Sequence, residues 1–172
     1  SGFIGTHLMK ALEEGGFSPE AFRRDGLLTV AFLDFAKEKD YIFHLAGVNR
    51  ADSDEDFEKG NVELTRKLVN AMVASGKDSR IIFMSSFLVY GDQEGPLSED
   101  SKTVANNVYV RTKLEAEEII RESGLDHVIF RASNTYGPGC RPYYNSVVAT
   151  FIDMIKNKKK LTVHGTGEQV KD

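Results

Sequence analysis

Short apolar runs alternate with helical periodicity along this 172-residue chain, and that alternation narrows its possible folds more than any other feature. Tyr41-Ile42-Phe43-His44-Leu45 lies between Asp40 and Ala46-Gly47. Ile81-Ile82-Phe83-Met84 ends in Ser85-Ser86, and His127-Val128-Ile129-Phe130 runs into Arg131. Runs of this length without polar alternation suit strands buried on both faces, as in parallel sheets. Residues 6–14, ahead of these runs, read as a helix with Leu8, Met9 and Leu12 apolar, stopped by Gly15-Gly16. Residues 27–39, 56–75, 105–123 and 146–157 also read as helices. Residues 17–22 form a weaker strand candidate, opposed by Pro19, and Leu161-Thr162-Val163-His164 a short one. The expected class is α/β: a doubly wound parallel sheet with helices on both faces.

Composition excludes several function classes. The net charge of −4 argues against nucleic-acid and anionic-membrane partners. Lys158-Lys159-Lys160 reads as a solvated helix end. Cys140 stands alone, so no intramolecular disulfide forms, which fits a reducing compartment. With no signal-peptide pattern and no apolar run of bilayer length, the expected location is cytoplasmic. No repeat, low-complexity tract or linker interrupts the chain.

Four features carry chemistry. Tyr109 and Lys113 stand four apart in a helical segment, on one face. A neighbouring ammonium is expected to lower the phenol's pKa, letting it exchange a proton with an alcohol near neutral pH. Surface pairs show the same spacing. Ser86 closes an apolar strand at its carboxyl end, where open α/β sheets bind ligands. Gly2-Phe3-Ile4-Gly5 opens a helix whose amino end suits a diphosphate, and Gly47 lets a cofactor approach the strand end. Arg23 and Arg24 lie about twenty residues past those glycines, where an arginine accommodates the 2′-phosphate of NADP and an acid would accept from the ribose of NAD. They favour NADP over NAD, or are solvated loop arginines. His44 reads as a packed, hydrogen-bonded histidine rather than a ligand or base.

In order, the chain holds Gly2-Phe3-Ile4-Gly5, His44-Leu45-Ala46-Gly47, Ser85-Ser86-x-x-Val89-Tyr90-Gly91, Tyr109-x-x-x-Lys113, Arg131-x-x-Asn134-x-Tyr136-Gly137-Pro138-Gly139 and Gly165-x-Gly167-x-Gln169. It resembles the extended short-chain dehydrogenase/reductases, specifically the NAD(P)-dependent nucleotide-sugar epimerase/dehydratase family. The resemblance implies a Rossmann-type fold, with a nicotinamide-binding domain over residues 1–140 and the start of a substrate-binding region over 141–172. It implies Tyr109 as acid/base, Lys113 tuning it and bonding the nicotinamide ribose, and Ser86 holding the reacting oxygen. Gly2, Phe3, Ile4, Gly5, Leu45, Ala46 and Gly47, together with Tyr109 and Lys113, would line the cofactor; Ser86, Phe87, Asn134, Val163 and Gln169 would face a nucleotide sugar; no metal is involved.

The family's dehydratases carry Asp-Glu directly after the active-site hydroxyl, where this chain has Phe87-Leu88, so dehydration is disfavoured and epimerisation or net reduction remains. The stretches 44–50 and 140–151 are also similar to reductases of 4-keto-sugar nucleotides in capsular-polysaccharide and deoxysugar pathways. By resemblance, a first strand and first glycine belong before Ser1 and further substrate-binding segments after Asp172. The isolated chain is therefore expected to be unstable or a weak cofactor binder. A homodimer through the helices of 56–75 and 105–123 is expected in the full-length protein. Non-catalytic NAD(P)-binding redox sensors belong to the same superfamily but commonly lack the tyrosine or lysine kept here; an inactive fragment is the remaining reading.

Overall fold

The computed structural model describes residues 2–22, 30–144 and 146–162. The chain divides into two compact units, Ser1–Arg131 and Ala132–Asp172. The first begins with α1 (Phe3–Glu14) and α2 (Val30–Lys37), followed by β1 (Tyr41–His44). A broken helix follows: α3 (Asp54–Phe57), a π-helical turn (Glu58–Glu63) and α4 (Leu64–Ser75). Next are β2 (Arg80–Ser86), a 3-10 turn (Phe87–Tyr90), α5 (Val108–Glu122) and β3 (His127–Ala132).

The strands form one sheet in the order β1-β2-β3, with β1 and β2 parallel and Ile42 opposite Ile81, His44 opposite Phe83. That register puts Ile42, His44, Ile81, Phe83 and Ser85 on one buried face. The core there joins Ile42, Ile81 and Phe83 to Phe32 and Ala36 of α2, Leu64, Leu68, Val69 and Met72 of α4, and Ala116 and Ile120 of α5. Each fully buried large side chain contributes about 1.5–3 kcal/mol through removal from water. The expected parallel sheet flanked by helices is therefore present. Tyr41 and Phe43 on the other face are exposed.

Caps explain where the helices begin. The Ser53 hydroxyl accepts from the Asp56 amide at 3.2 Å, and acidic Asp54, Glu55 and Asp56 fill the first turn of α3. Asn107 accepts from the Val110 amide at 2.9 Å and starts α5. Gly76 ends α4 in the left-handed conformation, φ 67°. No helix among the described residues is long and apolar enough to cross a membrane.

Three expectations are corrected. Residues 17–22 form no strand: Pro19 lacks an amide donor, and the Phe17 amide bonds back to the Leu12 carbonyl at 2.9 Å. The expected continuous helix over 56–75 is interrupted by the π turn. Leu161 and Thr162 are not in a strand; residues 163–172 lie outside the described set, as do Arg23 and Arg24.

In the second unit, α6 (Val147–Lys156) starts at Ser146, whose hydroxyl accepts from the Ala149 amide at 3.2 Å. Tyr143, before it, has a positive φ of 60° and is held there by its amide donating to Thr150 and its phenol donating to Asp153.

Candidate active site

The end of β2 and the first two turns of α5 bring together three residues predicted from sequence. Ser86 is buried and caps the 3-10 turn, its hydroxyl accepting from the Leu88 amide at 3.3 Å. Tyr109 is half-buried on the first turn of α5, edge-on to Phe57 with ring centroids 6.2 Å apart. Burial pushes its phenol above the ordinary range, and a hydrogen bond with Ser86 pulls the other way.

The sign of that shift overturns one expectation. The Lys113 ammonium does not draw the phenol down, because its side chain runs inward to β2 rather than along the helix. Its Nζ donates to the Met84 carbonyl at 2.8 Å and lies 4.8 Å from the centroid of the Phe83 ring. Burial lowers the ammonium to about 8, while Glu117 acts to raise it. It remains a cation at pH 7.

The loop after β1 closes on this cation. A Cβ on Gly47 would meet Asn61 Oδ1 at 3.0 Å and Lys113 Nζ at 3.4 Å, so a side chain here would crowd the ammonium. Leu45 is partly buried beside it and Ala46 exposed. At the start of α1, Gly2 is extended and offers no side-chain cap, and no acid occupies the first turn of Phe3, Ile4 and Gly5. That amide-rich end suits a diphosphate, and a buried lysine beside an open glycine backbone suits a ribose hydroxyl. These residues fit a nicotinamide dinucleotide.

Phe87, partly exposed, packs edge-on to Tyr90 with centroids 5.3 Å apart. Asn134 is exposed in the second unit, after β3. Val163 and Gln169, like Arg23 and Arg24, lie outside the described residues. His44 is the packed histidine expected: its Nε2 is 2.8 Å from Thr65 Oγ1, and its ring stacks on Phe83.

Sequence reasoning missed Asn61. It is 2% exposed; its Nδ2 donates to the Val48 carbonyl and to Thr112 Oγ1, each at 3.0 Å, and its Oδ1 accepts from the Val48 amide at 2.7 Å. One amide thus ties the loop after β1 to the helix of Tyr109 and Lys113. The available signal was a polar residue between Gly60 and Val62 inside an apolar helical face. Glu117 was missed too, as one acid among several on an amphipathic helix.

The model of the NAD dependent epimerase/dehydratase family matches residues 1–172. UDP-2-acetamido-2,6-beta-L-arabino-hexul-4-ose reductase of Pseudomonas aeruginosa is 33% identical over 99% of this chain and 43% of its own length. The dTDP-D-glucose 4,6-dehydratase of Mus musculus is 33% identical over 78% of this chain and 40% of its own. Among solved structures, MoeE5 in complex with UDP-glucuronic acid and NAD superposes with a TM-score of 0.85 at 28% identity, covering 99% of this chain and 64% of that one. UDP-N-acetylglucosamine 4-epimerase from Methanobrevibacter ruminantium M1, in complex with UDP-N-acetylmuramic acid, gives 0.86 at 26%, covering 99% and 65%. The chain spans under half the length of these sequence relatives and just under two thirds of the solved chains. The matched family and the shared parallel sheet agree with the motifs at Gly2–Gly5, Ser86 and Tyr109–Lys113: this chain belongs to the NAD-dependent epimerase/dehydratase family.

Proposed function

We propose that the protein carrying this chain transfers a hydride at a ring carbon of a nucleoside-diphosphate sugar, and that its net reaction is reduction of a 4-keto-sugar. The observation that carries this reading is the meeting of Ser86 and Tyr109 beside buried Lys113, with the phenol held in its protonated form. Ketone reduction needs a proton donor at the oxygen that gains negative charge, and a phenol above its usual range is one at neutral pH. Ser86 is the second donor to that oxygen, and Lys113 orients the nicotinamide ribose. The bound nicotinamide supplies the hydride. Gly2 to Gly5 hold the diphosphate, and Leu45, Ala46 and Gly47 line the strand end next to it. Phe87 and Leu88 give no carboxylate for eliminating water.

The 33% identity to a 4-keto-sugar reductase along nearly the whole chain supports reduction. Epimerisation is the second reading, supported by the likeness to a solved 4-epimerase. The cofactor is NAD or NADP; Arg23 and Arg24 favour NADP. Phe87 and Asn134 belong to the sugar-nucleotide side, as do Val163 and Gln169 within a substrate region beginning at residue 141. A cytoplasmic homodimer, paired through α4 and α5, completes the proposal.

The test uses the intact protein with a panel of UDP- and dTDP-linked 4-keto-sugars and either NADH or NADPH. Stoichiometric loss of nicotinamide absorbance means reduction, and the faster donor identifies the cofactor; sugar interconversion without net loss means epimerisation. Tyr109→Phe lowers turnover by about 10²- to 10⁴-fold while leaving cofactor affinity intact. Full turnover in that variant would overturn the assignment.

A further inference from the structure

Tyr109, Lys113 and Glu117 follow at four-residue steps along α5 and so share the helix face turned toward β2. The first two have roles in the proposed reaction; Glu117 has none. Yet its side chain is fully buried and fully engaged. Its Oε1 accepts from Ser85 Oγ at 2.5 Å and from Arg131 Nε at 3.1 Å. Its Oε2 accepts from Arg131 Nη2 at 2.8 Å and from Arg121 Nη2 at 2.6 Å. The remaining arm of Arg131 donates to the Tyr90 hydroxyl and the Glu99 carbonyl, each at 3.0 Å, and its guanidinium lies 4.9 Å over the Tyr90 ring. Tyr90 in turn meets Phe87, the residue after Ser86. One carboxylate thus links α5 to the end of β2, to the 3-10 turn through Arg131, and to β3.

We propose that Glu117 is a positioning residue: with Arg131 it fixes the α5 face carrying Tyr109 and Lys113 against the β2 end carrying Ser86, and it places a permanent negative charge one turn beyond the Lys113 ammonium. The proposal rests on the roles given above to Tyr109, Lys113 and Ser86. A bare buried carboxylate is costly, and a buried pair replaced by apolar residues is often no less stable, so stability alone does not account for this node. Its surroundings keep it ionised. Burial would raise Glu117, but Arg131, Ser85 and Arg121 outweigh that and hold it below the usual range.

The groups around Lys113 leave this charge to Glu117. From β1 comes His44, which is neutral; from β2 the Met84 carbonyl and Phe83 ring; from the π turn, Asn61; from α5, Tyr109 and Glu117. On the π turn, Glu58 pairs with Arg111 and Glu63 with Lys67. Arg121 and Arg131 bind Glu117 directly.

The decisive measurement is the titration of Lys113 in the intact protein carrying 13C-labelled lysine, followed by NMR and assigned with Lys113→Arg. Glu117→Gln keeps the shape and lowers the Lys113 midpoint by about half a pH unit or more, while Glu117→Asp restores it. Arg121→Gln, at a half-exposed position, removes a cation from the far side of the carboxylate and moves the midpoint upward. A folded Glu117→Gln with an unchanged midpoint overturns the proposal. If that variant does not fold, an unchanged midpoint in Arg121→Gln overturns it equally. The titration needs no substrate or cofactor, so it decides the role of Glu117 even if NADH and NADPH assays refute the proposed reaction.

Discussion

His44 shows how one buried side chain makes stability depend on pH. Its ring is 3% exposed, and burial, reinforced by the Lys113 cation, lowers it from the ordinary 6.5 to about 3. The folded chain therefore holds it neutral, while the unfolded chain protonates it below about 6.5. Its contribution is fully present above that value and is lost as the pH falls toward 3, because the unfolded state then binds the extra proton. The slope inside this window approaches about 1.4 kcal/mol per pH unit. His44→Leu is expected to flatten the pH dependence of the denaturation midpoint between pH 6.5 and 5, above the range where most carboxylates titrate. An unchanged slope would mean that the histidine is already neutral in the unfolded ensemble or charged in the fold. At this scale strand position and motif order pointed to Ser86 beside Tyr109, and the apolar run around His44 marked it as packed. It did not show where Lys113 points. That direction depends on the Met84 carbonyl and Phe83 ring, 29 and 30 residues earlier in the chain, and it reverses the expected shift of Tyr109.

The broken helix before β2 makes the same point for an element. Apolar periodicity over 56–75 reads as one helix, but residues Glu58–Glu63 widen into a π turn. Such turns are uncommon and concentrate at functional sites. Here the turn presents Asn61 to Val48 and Thr112, and it brings Gly60 against Val48 so closely that a Cβ would lie 2.2 Å from Val48 Cγ2 and 3.0 Å from its Cβ. Gly60→Ala is therefore expected to destabilise the fold by about 1–3 kcal/mol through overpacking, despite alanine's better helix propensity. Val48→Ala removes the closest atom, so the double variant should recover part of the loss in a denaturant-melt cycle. Additive losses would show that the two residues do not collide. The three main strands were legible because each is a short apolar run between polar or glycine punctuation. The π turn was not, because its hydrogen-bond register is decided by a contact with a distant loop. Residues 17–22 were over-read for a related reason: β propensity at Phe17 and Phe22 says nothing about a partner strand, and Phe17 bonds back to α1 instead.

The proposed assembly, at the scale of the whole molecule, rests on the outer surface of α4 and α5. Their inner faces supply Leu64, Leu68, Val69, Met72, Ala116 and Ile120 to the core. Between their outer faces runs a groove lined by Arg66, Asn70, Val73, Ala74, Ile119 and Glu122. Val73 is 53% exposed there, an apolar side chain that the described residues leave uncovered. Arg66 and Glu122 bring opposite charges to the same groove, so a two-fold axis through it can set the arginine of one copy against the glutamate of the other while the valines meet near the centre. Stable interfaces cover about 800 Å² per partner, which two pairs of adjoining helices of this length can supply. Val73→Glu buries a carboxylate at that centre in a dimer, yet in a separate subunit it replaces a residue that is already half in water. It is expected to weaken association at least about tenfold, read as a shift from dimer to monomer in sedimentation of the intact protein, with the subunit's circular dichroism unchanged. A dimer of undiminished affinity would place the interface elsewhere. Because α5 also carries Tyr109, Lys113 and Glu117 on its inner face, a dimer built here would couple assembly to the active site, and Val73→Glu would then lower turnover along with association.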